Sequence, residues 1–233
     1  AQIDYTTPDF SGFNVTVGVF DPLNSLSEGD AAVEPHKSPG FHAKIAWTIP
    51  FSEGNKLYLS AAFLSQQQDY VAPAVFPATT GTPYSYTGDG IDVFGKLDIQ
   101  GLEVVAYYYH AKGLGSTALF DGGAFTGVVD GVAYYGQTRT SDGYFGQVTY
   151  KFGALKLGVN YGQSNLDYAS SADQANDVGG NLLKNNKKWT GGLYYSLTKN
   201  LTLLAEYSNV KDSAQSAGGN SANTFNVGAF LGF

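Results

Sequence analysis

Residues 223–233, NTFNVGAFLGF, set Phe225, Val227, Ala229, Leu231 and Phe233 at strict period two, with Asn226, Gly228, Phe230 and Gly232 between them. Successive side chains of a strand point to opposite faces, so this spacing predicts a strand between two unlike environments. A sandwich edge and one stave of a membrane barrel both satisfy that condition, and repetition along the chain decides between them. The same alternation recurs in Phe13, Val15, Val17 and Val19, in Phe41 to Ile49, in Leu57 to Phe63, in Ile91 to Ile99, and in Leu102 to Tyr108. It recurs again in Tyr144 to Phe152 and Leu155 to Tyr161, and no Asp, Glu, Lys or Arg occupies the apolar register of any of these runs. The opposite register carries Asp4, Asn14, Thr16, His42, Lys44, Asp92, Lys96, Glu103, Gln147, Asn160 and Glu206.

Eleven strands are predicted, over residues 2–7, 13–21, 41–49, 56–68, 91–99, 102–112, 144–152, 155–168, 189–197, 201–212 and 223–233. Their connections alternate, five short and five long. The short ones carry Gly, Asn and Asp, which supply the φ > 0 positions of tight hairpins. A Greek key does not generate this regularity, whereas outer-membrane barrels pair short periplasmic turns with long outer loops. No apolar run approaches the roughly 20 residues of a spanning helix, yet the chain holds 17 Tyr and 30 Gly. The fold class is therefore read as all-β, an antiparallel transmembrane β-barrel, with residues 1–233 as a single domain. A net charge of −7 argues against a nucleic-acid partner, and the absence of Cys removes thiolate and disulfide chemistry.

Aromatic residues mark both ends of the apolar register. Phe13, Trp47, Tyr150, Phe152 and Phe233 fall at one level; Phe41, Phe63, Tyr108, Tyr144, Tyr161, Trp189, Tyr207 and Phe225 fall at the other. Two such belts are what amphipathic rings form at the two lipid interfaces. Trp47, Tyr150 and Phe233 on one side, and Trp189, Tyr161 and Tyr207 on the other, are the predicted girdle, with outer-membrane lipid as their partner.

The opening segment AQIDYTTPDFSGFNVTVGVF carries Tyr5, Thr7, Pro8, Asp9, Phe10 and Gly12, and this stretch resembles the segment of Gram-negative general porins that follows their inward-folded third loop. The ending GGLYYSLTKNLTLLAEYSNV…NVGAFLGF is similar to the last three strands of that family. The resemblance implies a trimeric barrel of about sixteen strands, of which the portion after the constriction loop is seen here. An odd strand count points the same way, since single-chain bacterial barrels have even numbers. The expectation is that strands preceding Ala1 complete the barrel, supplied by the same gene product or another chain.

The polar register supplies the candidate site. Lys44, Lys96, Asp4, Asp92, His42 and Glu206 are predicted near mid-strand on the pore wall, and Tyr107, Tyr109 and Tyr194 as its aromatic lining. The resemblance implies that Lys44 and Lys96 belong to a basic wall, although the family's arginine cluster is not matched: Arg139 is the only Arg, and it lies in a loop. His36, His42 and His110 sit in no nucleophile or metal motif, and Asp121, Asp130, Asp173 and Asp177 read as turn formers rather than calcium ligands. No cofactor, metal site or catalytic constellation is predicted. The functional expectation is a water-filled outer-membrane channel for passive diffusion of small hydrophilic solutes and ions. The alternative is a structural barrel that holds a partner protein or cofactor in its lumen and does not conduct.

Overall fold

The chain is described by a computed structural model, which places residues 1–22, 38–71, 83–115, 126 and 137–232. Its strands are β1 (Gln2–Thr6), β2 (Phe13–Phe20), β3 (Gly40–Ser52), β4 (Asn55–Val71), β5 (Pro83–Ile99) and β6 (Leu102–Lys112), followed by β7 (Thr140–Phe152), β8 (Leu155–Leu166), β9 (Leu183–Ser196), β10 (Leu201–Ala214) and β11 (Ser221–Leu231). They form one sheet in strict sequence order, every pair antiparallel. Among the described residues β1 and β11 are each paired on one side only.

Burial follows the alternation. On the apolar face Ile45, Ile91, Val93, Val159 and Leu193 are exposed, with Ile91 and Val159 at 54%. On the polar face Ala46, Val105, Thr149, Thr190 and Ser208 are buried. Side chains of the polar face therefore converge, while those of the apolar face splay apart toward the surroundings. Leaving one large aliphatic side chain in water forgoes about 1.5–3 kcal/mol, so a sheet that exposes a whole face of them requires an apolar solvent. No helix among the described residues is long and apolar enough to cross a membrane.

The short turns are built from local geometry and stitched to the next strand. At Gln100-Gly101 both residues have positive φ, 43° and 90°, as a two-residue type I′ hairpin requires. The Asn55 side chain of the neighbouring turn accepts from the Gln100 amide at 2.9 Å, and the Lys151 amide donates to the Gly101 carbonyl at 2.9 Å. Gly12 has φ +85°, and a Cβ there would stand 2.1 Å from the Thr48 carbonyl oxygen. That close approach lets the Thr48 amide donate to the Gly12 carbonyl at 2.8 Å.

At the long-loop end the strands run further than their alternation indicates. Residues 69–88 read as loop from the sequence, but β4 continues to Val71 and pairs with β5 back to Pro83. Gly88 and Gly90 are strand residues over which Leu114 packs, and a Cβ on either would meet a Leu114 methyl at 2.5 or 2.8 Å. Here strand glycine marks a close approach, not a bend. β9 likewise begins at Leu183 rather than Trp189, through a polar stretch that pairs with β8 and β10. β3 passes Ile49 and ends at Ser52, with a register shift between Pro50 and Ser52. β8 stops at Leu166, and the following loop holds a short helix, α1 (Ser171–Asn176), that the sequence reading did not foresee.

Candidate pore-lining wall

Each predicted wall residue lies on the polar face, and the register shows which of them meet. Asp4 faces Gly18 on β2, and Gly18 faces His42 on β3. Because Gly18 has no side chain, Asp4 Oδ1 reaches His42 Nε2 at 2.9 Å across the intervening strand. A Cβ at Gly18 would fall 2.1 Å from that carboxylate oxygen and 2.4 Å from that ring nitrogen. Gln2 closes the group, donating from Nε2 to Asp4 Oδ2 at 2.6 Å.

One register step further, Lys44, Ala62, Asp92 and Tyr109 form a continuous row across β3 to β6. Small Ala62 stands between the opposite charges of Lys44 and Asp92. The Lys44 ammonium also lies 5.8 Å from the ring centroid of Tyr58, within cation–π range. Tyr107 and Tyr109 lie with ring centroids 6.2 Å apart. The Tyr109 hydroxyl bonds the Ser164 hydroxyl over Gly143, another inner-face gap crossed by a neighbour's side chain. His42, Lys44, Asp92, Tyr107 and Tyr109 thus line one recess, together with Phe20 and Leu64.

Lys96 and Glu206 stand apart from that recess. The Lys96 ammonium is 2.6 Å from Glu103 Oε2 and 3.7 Å from Asp98 Oδ1, and Gln147 Nε2 donates to Glu103 Oε1 at 3.3 Å. Lys96 is therefore held in an acidic cluster nearer the short turns, a neighbour set its spacing alone did not reveal. Glu206 accepts from the Tyr194 hydroxyl, with Tyr194 folded along its own strand over Gly192. Lys151 and Lys156 pair directly across β7 and β8 on the same face.

The girdle residues Trp47, Tyr150, Tyr161, Trp189 and Tyr207 are all exposed on the apolar face. Trp189 and Tyr207 pack with centroids 5.4 Å apart, Tyr144 and Tyr161 6.0 Å, and Tyr150 and Phe152 5.9 Å. Phe233 lies outside the described residues, as do His36, Asp121 and Asp130. Asp173 and Asp177 hold loop structure together. Asp173, its side chain only 4% exposed, accepts from Arg139 Nε and Nη2 at 2.7 Å each and from the Ala169 amide at 2.9 Å. Burial pushes its pKa upward, but Arg139 and the Ala169 amide together outweigh that and hold the carboxyl below its ordinary value. Asp177 accepts from the Tyr168 hydroxyl at 2.8 Å and the Asn181 amide at 2.9 Å. Among the described residues no three His, Cys, Asp or Glu side chains gather as a metal site would require.

Known structures repeat this architecture. The chain is similar over its whole length to the outer membrane channel DcaP of Acinetobacter baumannii, with a TM-score of 0.77, 17% identity and 62% of that chain covered. It is similar, again over 100% of its length, to an anion-selective porin from Comamonas acidovorans, with a TM-score of 0.60, 16% identity and 59% of that chain covered. The trimer form of OmpT from Vibrio cholerae gives a TM-score of 0.54 at 16% identity, over 99% of this chain and 64% of that one. These likenesses show the fold, and this chain spans less than two thirds of the length of each. No curated protein matches the sequence. Residues 1–215 match the family model of the Gram-negative porins, and the chain belongs to that family of bacterial outer-membrane β-barrel proteins.

Proposed function

We propose that residues 1–233 are one porin-like domain and form most of the wall of an outer-membrane channel, through which small hydrophilic solutes and ions diffuse passively. The observation that carries this reading is the division of one continuous sheet into an exposed apolar face and a converging polar face lined with charge of both signs. Such a wall suits a water-filled lumen inside a lipid-facing barrel. Transport then has no chemical step; solutes are sorted by width and by the wall's charge. The unpaired edges of β1 and β11 would cost several kcal/mol per orphaned group in lipid, so further strands, to a total of about sixteen, close the barrel. The trimeric state of the Vibrio cholerae relative supports a homotrimer here. The test is planar-bilayer recording with the natural full-length protein, in which stepwise ohmic conductance is expected. A correctly folded protein that gives no conductance steps would overturn the reading.

A further inference from the structure

Lys151 and Lys156 face each other across β7 and β8 on the polar face, one pair in from the turn that joins the strands. The chain neighbours of Lys151, Tyr150 and Phe152, stand exposed on the apolar face as part of the aromatic belt at that end. Interfacial rings sit at headgroup depth, so the two ammonium groups belong to the short-turn mouth of the wall and not to its midpoint. Like charges directly opposite destabilise a strand pair, and the acids of the wall are engaged elsewhere. Lys96 stands 2.6 Å from Glu103, Lys56 faces Asp98 across β4 and β5, and Glu206 accepts from the Tyr194 hydroxyl. His42 holds Asp4, and Lys44 shares its row with Asp92. Lys151 and Lys156 are left over, and among the described residues neither makes an ion pair. Both line a recess of about 320 Å³, together with Gln147, Asn160, Ser196 and Thr202. Gly158 lies in the same lining and adds no side chain to fill it.

We propose that this recess binds the phosphate monoester of a small polyol, such as a sugar phosphate, with Lys151 and Lys156 holding the phosphate between them. The inference rests on the channel reading, because it requires the polar face to border a water-filled lumen. Short turns of outer-membrane barrels lie on the periplasmic side, so the site is a solute station at the inner mouth of the channel. A phosphate between two ammonium groups accepts charge-assisted hydrogen bonds from both and removes their repulsion; a neutral sugar does neither. The polyol hydroxyls meet Asn160, Ser196 and Thr202, and Gln147, whose amide nitrogen is bound to Glu103, keeps its carbonyl oxygen as an acceptor. The volume is near the lower end for small-molecule sites, about 300–1,000 Å³, which suits a single sugar ring. An occupied station narrows the mouth, so binding lowers the current carried by small ions.

The test is planar-bilayer recording of the natural full-length protein in potassium chloride, titrated separately with a glucose monophosphate, inorganic phosphate and glucose. The monophosphate is expected to reduce the current at the lowest concentration, inorganic phosphate only at higher concentration, and glucose not at all. Lys151→Gln with Lys156→Gln removes two charge-assisted hydrogen bonds and should raise the half-blocking concentration of the monophosphate at least tenfold. Lys56→Gln, at the same end but opposite Asp98, should leave that concentration unchanged. Should the double Gln variant not fold, Lys151→Arg with Lys156→Arg keeps both charges and should keep the block. Equal block of wild type and the double Gln variant, block by glucose, block by inorganic phosphate at the same concentration as the ester, or loss of block in a folded Arg pair would each overturn the proposal. Phosphorus NMR of the ester with the protein in detergent reads binding without conduction, as a broadened line that the double Gln variant sharpens. A conducting channel that neither is blocked by the ester nor broadens its line would remove this inference and leave the channel reading standing. A folded protein that broadens the line yet never conducts would remove the channel reading, and with it the station as a step in transport.

Discussion

The two ends of this sheet are held by different means. At the short-turn end, backbone does most of the fastening: glycines at positive φ tighten the hairpins, and turn carbonyls accept from the next strand, as Gly101 does from Lys151 and Asn200 from Gly232. At the long-loop end, backbone bonds such as Gly113 amide to Arg139 carbonyl and Gln215 amide to Leu182 carbonyl are joined by side chains that tie separate loops together. Arg139 reaches Asp173, Ser170 both caps α1 and donates to Gln137 at 2.8 Å, and Gln215 donates to the Leu166 carbonyl at 2.6 Å. Backbone fastening depends on conformation and tolerates many side chains. Side-chain fastening depends on a few pairs and fails when one is lost.

Arg139→Ala probes that contrast most severely. It leaves the buried Asp173 carboxylate without its cation, and breaking a buried pair from one side typically costs about 3–5 kcal/mol. The loss should stay local: hydrogen exchange across residues 167–182 should accelerate, while the amides of β7 to β10 keep their protection. Acid is expected to act at the same place. Asp173 is held below its ordinary pKa, so its contribution is fully present above the free-carboxylate value of about 3.9 and is lost as pH falls through the lower folded value. Protection of 167–182 that declined already between pH 7 and pH 5 would mean another group governs the clamp.

The contrast also explains what could be read from the chain. Where one face meets lipid and the other water, alternation must be kept, and β2, β3, β6 and the core of β8 are legible residue by residue. Beyond the aromatic belt both faces are wet and the constraint lapses, so Leu183 to Lys188 read as loop although their backbone is paired. The wall residues were legible as a face but not as groups. That Lys96 belongs with Glu103 follows from the local Gln100-Gly101 hairpin, whereas His42 meets Asp4 only through the register of three strands and the gap at Gly18, and contact between residues 38 apart has no local signal.

Within the membrane-level part, the two faces should respond oppositely to the same substitution. Val17→Arg places a cation on the apolar face in mid-strand, where it costs about 2–4 kcal/mol at the bilayer midplane. Thr16→Arg, one residue away on the polar face, loses one hydroxyl contact, 2.9 Å to Thr6, worth about 1 kcal/mol or less at an exposed site. Urea-dependent folding into vesicles measures both. Similar midpoints for the two variants would show that the two faces do not differ as assigned, and a lower midpoint for Thr16→Arg that they have been assigned the wrong way round.

The smallest effect expected is on selectivity, and it compares wall charge with mouth charge. On the polar face of the strands up to the outer aromatic belt Lys44, Lys56, Lys96, Lys151 and Lys156 stand against Asp4, Asp92, Asp98, Glu103 and Glu206, and just beyond it Lys188 and Asp212 add one charge of each sign, so the wall is close to neutral and the net −7 of the chain comes from residues outside the strands. Charges at the mouth are screened beyond about 8 Å at physiological ionic strength, and they should favour cation entry only when salt is low. Lys44 differs because it stands in the recess with Asp92, Tyr107 and Tyr109, where low-dielectric walls focus its field and screening is weaker. Lys44→Glu should therefore move the reversal potential under a salt gradient toward cations even at 1 M salt, where the Debye length is about 3 Å. Lys187→Glu, an identical change in charge on the outer face, should leave it where it was. If both variants shift it equally, or Lys44→Glu does so only in dilute salt, the permeating ions do not pass close to Lys44 and the recess is not the narrow part of the path.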